Sequence, residues 1–115
     1  MDKTDTEIIQ ETNDAFRQGQ PGIPGQWLLT QGIAGALEET GAAPIDVIKL
    51  VQSHSVFTED HDPYGTHEFG VFEFKEAKCF WKIDLYANDL QYGSPDPIDL
   101  SKTTRVMTIM LASEY

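Results

Sequence analysis

His67-Glu-Phe-Gly-Val-Phe-Glu-Phe-Lys75 followed by Lys78-Cys-Phe-Trp-Lys-Ile-Asp-Leu-Tyr86 is the stretch that decides the fold. Apolar residues recur at every second position in both runs, the period of a half-buried strand. The runs meet at Glu76-Ala77, so they read as an antiparallel hairpin. That dipeptide is a poor two-residue turn, which leaves room for a slightly longer loop. A loop centred there pairs Phe74 with Cys79, Phe72 with Trp81 and Gly70 with Ile83. One face then carries Phe72, Phe74, Cys79, Trp81, Ile83 and Leu85, a coherent core face. Cys79 on that face reads as a small buried hydrophobe rather than a nucleophile. Gly70 makes room for a neighbouring backbone or a large side chain.

The opposite face is mixed: His67, Phe69, Val71 and Glu73 against Phe80, Lys82, Asp84 and Tyr86. In this register His67 and Asp84 are diagonal neighbours. Such a pair either orients an imidazole for general-base work or makes a structural hydrogen bond.

C-terminal to the hairpin, Ala87–Ser101 (ANDLQYGSPDPIDLS) is a long connection of the kind that folds as a functional or packed Ω-loop. Tyr92, Asp96 and Asp99 present polar groups on it. Residues 103–112 are rich in β-branched side chains and apolar in both alternating sets from Val106 onward. A central strand fits that pattern, with a buried helix as the alternative.

N-terminal to the hairpin the pattern is helical. A first helix is expected from about Thr4 to Gln18, opened by the capping-box pattern Thr4-x-x-Glu7 and stopped at Gly19. Ile8, Ile9, Thr12, Ala15 and Phe16 share one arc; Glu7, Glu11 and Asp14 form an acidic ridge opposite. Residues 19–26 (GQPGIPGQ) hold two prolines and three glycines and cannot be regular. Trp27–Thr30 reads as a short strand, 33–39 as a helical turn, and Pro44 to about His54 as a further helix. The fold class is therefore α+β: a small antiparallel sheet, from the hairpin at 67–86, a strand at 103–112 and the short strand 27–30, packed on two or three helices. One domain spans 1–115, acidic and helical over about 1–57 and β-rich over 66–115.

Composition narrows the function. Nineteen acids face eight bases, a formal charge of −11, and no cationic surface is available to displace counterions from nucleic acid. Residues 1–66 hold eleven acids and three bases, so most of the excess precedes the hairpin. One cysteine cannot make a disulfide framework or a multi-cysteine zinc site. His54, His61 and His67 have no metal-ligand spacing. Asp60-His61-Asp62-Pro63-Tyr64-Gly65 begins like a calcium loop but carries Tyr64 and Val71 where ligands belong, so it reads as a turn. No phosphate loop, no G-x-S-x-G and no cofactor motif is present. The opening MDKTDTEIIQ lacks a signal-peptide core, and no apolar run is of membrane-spanning length. The expectation is a soluble cytoplasmic protein with no metal and no cofactor.

Several strings then stand out together: Asp62-Pro63-Tyr64-Gly65-x-His67-Glu68-Phe69-Gly70, Phe80-Trp81-Lys82-Ile83-Asp84, Tyr92-Gly93-Ser94-Pro95-Asp96-Pro97, and the run Thr104-Arg-Val-Met-Thr-Ile-Met-Leu-Ala-Ser-Glu-Tyr115. The chain resembles a family of small single-domain bacterial proteins of unknown function, common in alphaproteobacteria and their plasmids and mobile elements. The resemblance covers most of the chain, best from Phe57 to Tyr115. It brings no catalytic residues. It implies a bacterial cytoplasmic protein and suggests mobile-element biology, where small acidic proteins act on host or rival machinery.

Two functional readings follow. The first is a non-enzymatic acidic interaction protein whose ridge of Glu7, Glu11 and Asp14 engages a cationic protein partner, such as a nucleic-acid-binding protein that it inhibits. The alternative is a small-ligand or hydrolytic site built from His67, Lys82, Asp84, Tyr86, Tyr92 and Asp96, between the mixed hairpin face and the 87–101 loop. Those same residues otherwise form a structural polar network.

Overall fold

The computed structural model describes residues 3–115. Helix α1 (Asp5–Arg17) begins as its sequence dictates: the Thr4 hydroxyl accepts from the Glu7 backbone N–H, and the Glu7 carboxylate accepts from the Thr4 N–H. Strand β1 is Gly25–Leu29. Helix α2 (Gln31–Thr40) is a full element rather than a single turn, capped by Thr30 and closed by Gly41 at φ 71°. Helix α3 (Pro44–Gln52) starts on its proline. The hairpin is β2 (Phe69–Phe74) and β3 (Ala77–Tyr86). The last strand, β4 (Thr104–Leu111), settles the 103–112 alternative in favour of a strand, and a 3₁₀ turn follows at Ala112–Glu114.

The result is an α+β fold, with the strands in the order β1-β4-β3-β2. Three strands are antiparallel and β1 joins β4 in parallel, Gly25 opposite Arg105 and Leu29 opposite Ile109, so the sheet is mixed. A strand from the acidic half thus completes the sheet of the β-rich half.

The hairpin register differs from the expected one by two residues. Phe74 pairs with Ala77, Phe72 with Cys79, Gly70 with Trp81 and Phe69 with Lys82. The turn is Lys75-Glu76, at φ 50° and 71°. Positive φ at both central residues is the I′ geometry, whose twist suits a hairpin but which Asn and Gly normally supply. Because side chains alternate with period two, a shift of two leaves every residue on its expected face.

The core gathers Phe16 of α1, Ile33 and Leu37 of α2, Val47 and Val51 of α3, Phe74, Cys79, Trp81 and Ile83 of the hairpin, and Met107 and Ile109 of β4. Each such side chain contributes about 1.5–3 kcal/mol of burial free energy. All three helices thus pack on one face of the sheet. Gly70 meets the indole of Trp81: a Cβ there would lie 2.2 Å from Nε1.

Candidate functional site

On α1 the buried side chains are Asn13, Phe16 and Arg17, while Ile8 and Ile9 are only half-buried, so the inner arc differs from the expected one. Two polar residues are accommodated because the sheet and the loop before it supply partners. Asn13 Nδ2 donates to the Thr66 carbonyl at 2.8 Å, and Arg105 Nε donates to Asn13 Oδ1 at 2.7 Å. Arg105 is fully buried, and burial pushes its guanidinium down to about 10, still protonated at neutral pH. Arg17 Nη2 donates to Asp14 Oδ1 at 3.0 Å, with the guanidinium carbon 5.1 Å above the Trp81 ring and 5.6 Å above the Phe57 ring. Burial lowers its pKa as well.

The acidic ridge is therefore engaged within the chain. Glu7 caps α1, Glu11 pairs with Lys3 at 2.6 Å, and Asp14 serves both Arg17 and His67. His67 meets Asp14 rather than Asp84: Nδ1 lies 2.9 Å and 3.0 Å from the two Asp14 oxygens, and the ring stacks on Phe57 at 3.6 Å. Its backbone, at φ 54°, precedes β2, and its N–H donates to Asp62 Oδ1 at 3.1 Å. His67 is thereby drawn out of the hairpin pairing that a continuous strand would give it. His54 packs edge-on to Phe57 and Trp81, and burial lowers its pKa.

Tyr86, Tyr92 and Asp96 lie elsewhere, at the far end of β3 and on the 87–101 loop. That loop folds on itself. Gly93 bridges to Tyr86, Thr103 Oγ1 donates to the Asp96 carbonyl at 2.9 Å, and Asn88 Nδ2 donates to the Ser101 carbonyl at 2.7 Å. Tyr92 is exposed. Hydrogen bonds from Ser101 to the exposed Asp99 carboxylate lower its pKa.

Lys82 and Asp84 do share a site, on the sheet face that carries no helix. They line an open cleft of about 390 Å³ with Asp60, His61 and Pro63 of the turn before β2, Glu68 and Phe69 at its start, Ile83, and Tyr115. Lys82 Nζ lies 3.2 Å from Asp84 Oδ2. Among the described residues, Asp60 and Glu68 have no ion-pair partner. Burial pushes the Glu68 carboxyl up, and the nearby Asp62 and Asp84 carboxylates add to the rise. Phe69, Phe80 and Tyr115 make an aromatic patch beside the acids, with ring centroids 5.1–5.9 Å apart.

The sequence pattern singled out Lys82 and Asp84 but not Asp60, Glu68, Phe69 or Tyr115 as site residues. Strand alternation would send Glu68 to the core face. Glu68 stands just before β2, whose regular pairing starts at Phe69, and it lines the cleft instead. Chemically, the cleft offers carboxylates and rings to a cation and contains no serine, threonine or cysteine as a nucleophile. No group of three metal-ligating side chains occurs among the described residues, and no described helix is long and apolar enough to cross a membrane.

Apart from Tyr115, every residue of the cleft falls within residues 29–114, the span that matches the sequence pattern of a protein family described as "Protein of unknown function (DUF3768)". No curated protein and no solved structure matches the chain. The match spans well over half of the sequence, and the chain belongs to the DUF3768 family.

Proposed function

We propose that this is a non-enzymatic acidic interaction protein that binds a cationic protein partner, and that the contact is the cleft on the sheet face opposite the helices. The observation that carries this reading is Glu68, half-buried without an ion-pair partner among the described residues beside the exposed Asp60, in a cleft whose one lysine is already matched by Asp84. A carboxylate kept partly buried without a cation is costly, and a partner's cation relieves that cost. The overall charge of −11 steers such a partner and repels nucleic acid itself. The Glu7, Glu11 and Asp14 carboxylates add to the long-range field, while their short-range bonds are taken within the chain. The partner class that fits is a nucleic-acid-binding protein whose basic surface is blocked. The resemblance to plasmid- and mobile-element-borne bacterial proteins supports a cytoplasmic setting for that inhibition.

The test is retention of partner from a bacterial extract on the immobilised chain, at about 50 mM and about 500 mM salt. Retention should fall steeply with salt, and the Asp60→Asn/Glu68→Gln double variant should lose it already at low salt. Equal retention at both salts, or retention untouched by the double variant, overturns the reading. A small-ligand site has one point in its favour, a volume at the lower end of the ~300–1,000 Å³ range of such pockets. It keeps Lys82 and Asp84 but not His67, Tyr86, Tyr92 or Asp96, which lie outside the cleft.

A further inference from the structure

The sheet face opposite the helices combines two features that the helix-covered face does not: a partly exposed aromatic patch and carboxylates without cations beside it. Tyr115 is 75% exposed, and its ring packs edge-on to Phe69 and Phe80. We propose that the cleft receives a single arginine side chain of the protein partner, its guanidinium bonded to Glu68 and Asp60 and lying against the Phe69 and Tyr115 rings. The inference rests on the cationic-partner reading above and narrows it to a residue type and a place.

Charge complementarity selects a cation. Three carboxylates, Asp60, Glu68 and Asp84, border the cleft against one lysine, and that lysine is paired at 3.2 Å. Arginine fits better than lysine for two reasons. Its planar fork bonds two carboxylate oxygens at once, and its weak hydration lets it lie flat on an aromatic ring. The protein already holds one arginine in this way: Arg17 is bonded to Asp14 and lies over Trp81 and Phe57. The cleft presents the same two ingredients, carboxylate and ring, with the guanidinium supplied from outside. A volume of about 390 Å³ accommodates such a head and stem. Beyond the cleft the same face continues from Phe69 and Lys82 across Thr108 to Leu28, which is 45% exposed, with the half-buried Val71 and Phe80 alongside. That strip gives the rest of a protein segment a surface to lie on, which a free small cation would not use.

Titration of the full ¹⁵N-labelled chain with acetyl-Ala-Arg-Ala-amide, its lysine and citrulline counterparts, and free arginine tests the assignment. The arginine peptide should move the amide signals of Glu68, Phe69 and Lys82 and bind at least about tenfold more tightly than the neutral citrulline peptide, with lysine between them. Glu68→Gln should abolish that preference while the spectrum stays folded, and Tyr115→Ala should weaken arginine binding several-fold. Equal binding of the arginine and citrulline peptides overturns the proposal, as do shifts that gather on α1. Free arginine binding as well as the peptide overturns the protein-borne occupant. If no peptide binds but the Asp60→Asn/Glu68→Gln chain still loses its salt-sensitive partner, the arginine assignment falls and the cationic-partner reading stands. If partner retention is also indifferent to salt, both fall.

Discussion

Trp81 is fully buried at the centre of β3, and its indole lies against the backbone of Gly70 across the hairpin. Gly70→Ala puts a methyl 2.2–2.6 Å from three indole atoms that have nowhere to go. The variant should lose about 1–3 kcal/mol in a denaturant titration, the range for overpacking a tight core. Glu68 is the opposite case, a residue that costs stability where it stands. Its folded pKa is raised above the usual 4.5, so the folded chain binds its proton more tightly than the unfolded one. Its contribution is fully present below about pH 4.5 and is lost as pH rises through the raised value. Glu68→Gln should therefore raise the denaturation midpoint at pH 7.5 and lose that advantage at pH 4, a comparison that calorimetry at the two pH values makes directly. At this scale the sequence was legible where residue type limits the options. Gly70 read as a place of close approach and Cys79 as a core hydrophobe, and both are so. The buried Asn13, Arg17 and Arg105 were illegible, because polar side chains go inside only when remote partners meet them, and those partners are set by tertiary structure.

Among the elements, the capping box of α1, the proline start of α3, both hairpin faces and the β4 strand were all readable from local pattern. The hairpin register was not, because Lys75-Glu76 carries none of the usual signals for the turn it makes. Two non-glycine residues at φ 50° and 71° sit in a region that costs L-residues roughly 1–2 kcal/mol each. Lys75→Asn with Glu76→Gly should stabilise the chain by about 1 kcal/mol, since Asn-Gly enters this turn readily. Urea titration of the double variant checks it, with the sheet pairing unchanged by NMR. A second junction was equally hidden. The Glu114 carboxylate accepts from Thr30 Oγ1 at 2.6 Å, the Gly32 N–H at 3.0 Å and the Leu111 N–H at 2.8 Å. It thereby latches the 3₁₀ turn after β4 onto the start of α2, and those hydrogen bonds, led by Thr30, hold its pKa down. Glu114→Ala should cost about 1 kcal/mol, the usual worth of a helix cap, measurable as a lowered denaturation midpoint.

For the molecule as a whole, the count of nineteen acids to eight bases excluded a basic nucleic-acid footprint but did not locate a site. The first-helix ridge, legible as a stripe, turned out to be occupied by Thr4, Lys3, Arg17 and His67. The cleft acids come from a turn and a strand end that only the folded backbone brings together. A charge of −11 on 115 residues also repels itself. Raising salt from about 10 mM to about 500 mM should raise the melting temperature of the isolated chain, because screening relieves that repulsion. A melting temperature that falls or stays flat over this range would show that the local ion pairs outweigh the global field.

The parallel pairing of β1 with β4 joins Gly25 to Arg105, the widest sequence separation in the sheet. It therefore constrains how the protein is made. While a ribosome synthesises the chain, α1 and β1 emerge early but have no sheet to join until the β4 residues follow. In the meantime Phe16 and Trp27 have no closed core to enter. The β2–β3 hairpin, whose contacts are local, can form first; closure of β4 against it and capture of β1 come last. The nascent chain thus spends most of its synthesis with apolar surface uncovered, and a net charge of −11 works against the association of such chains with one another.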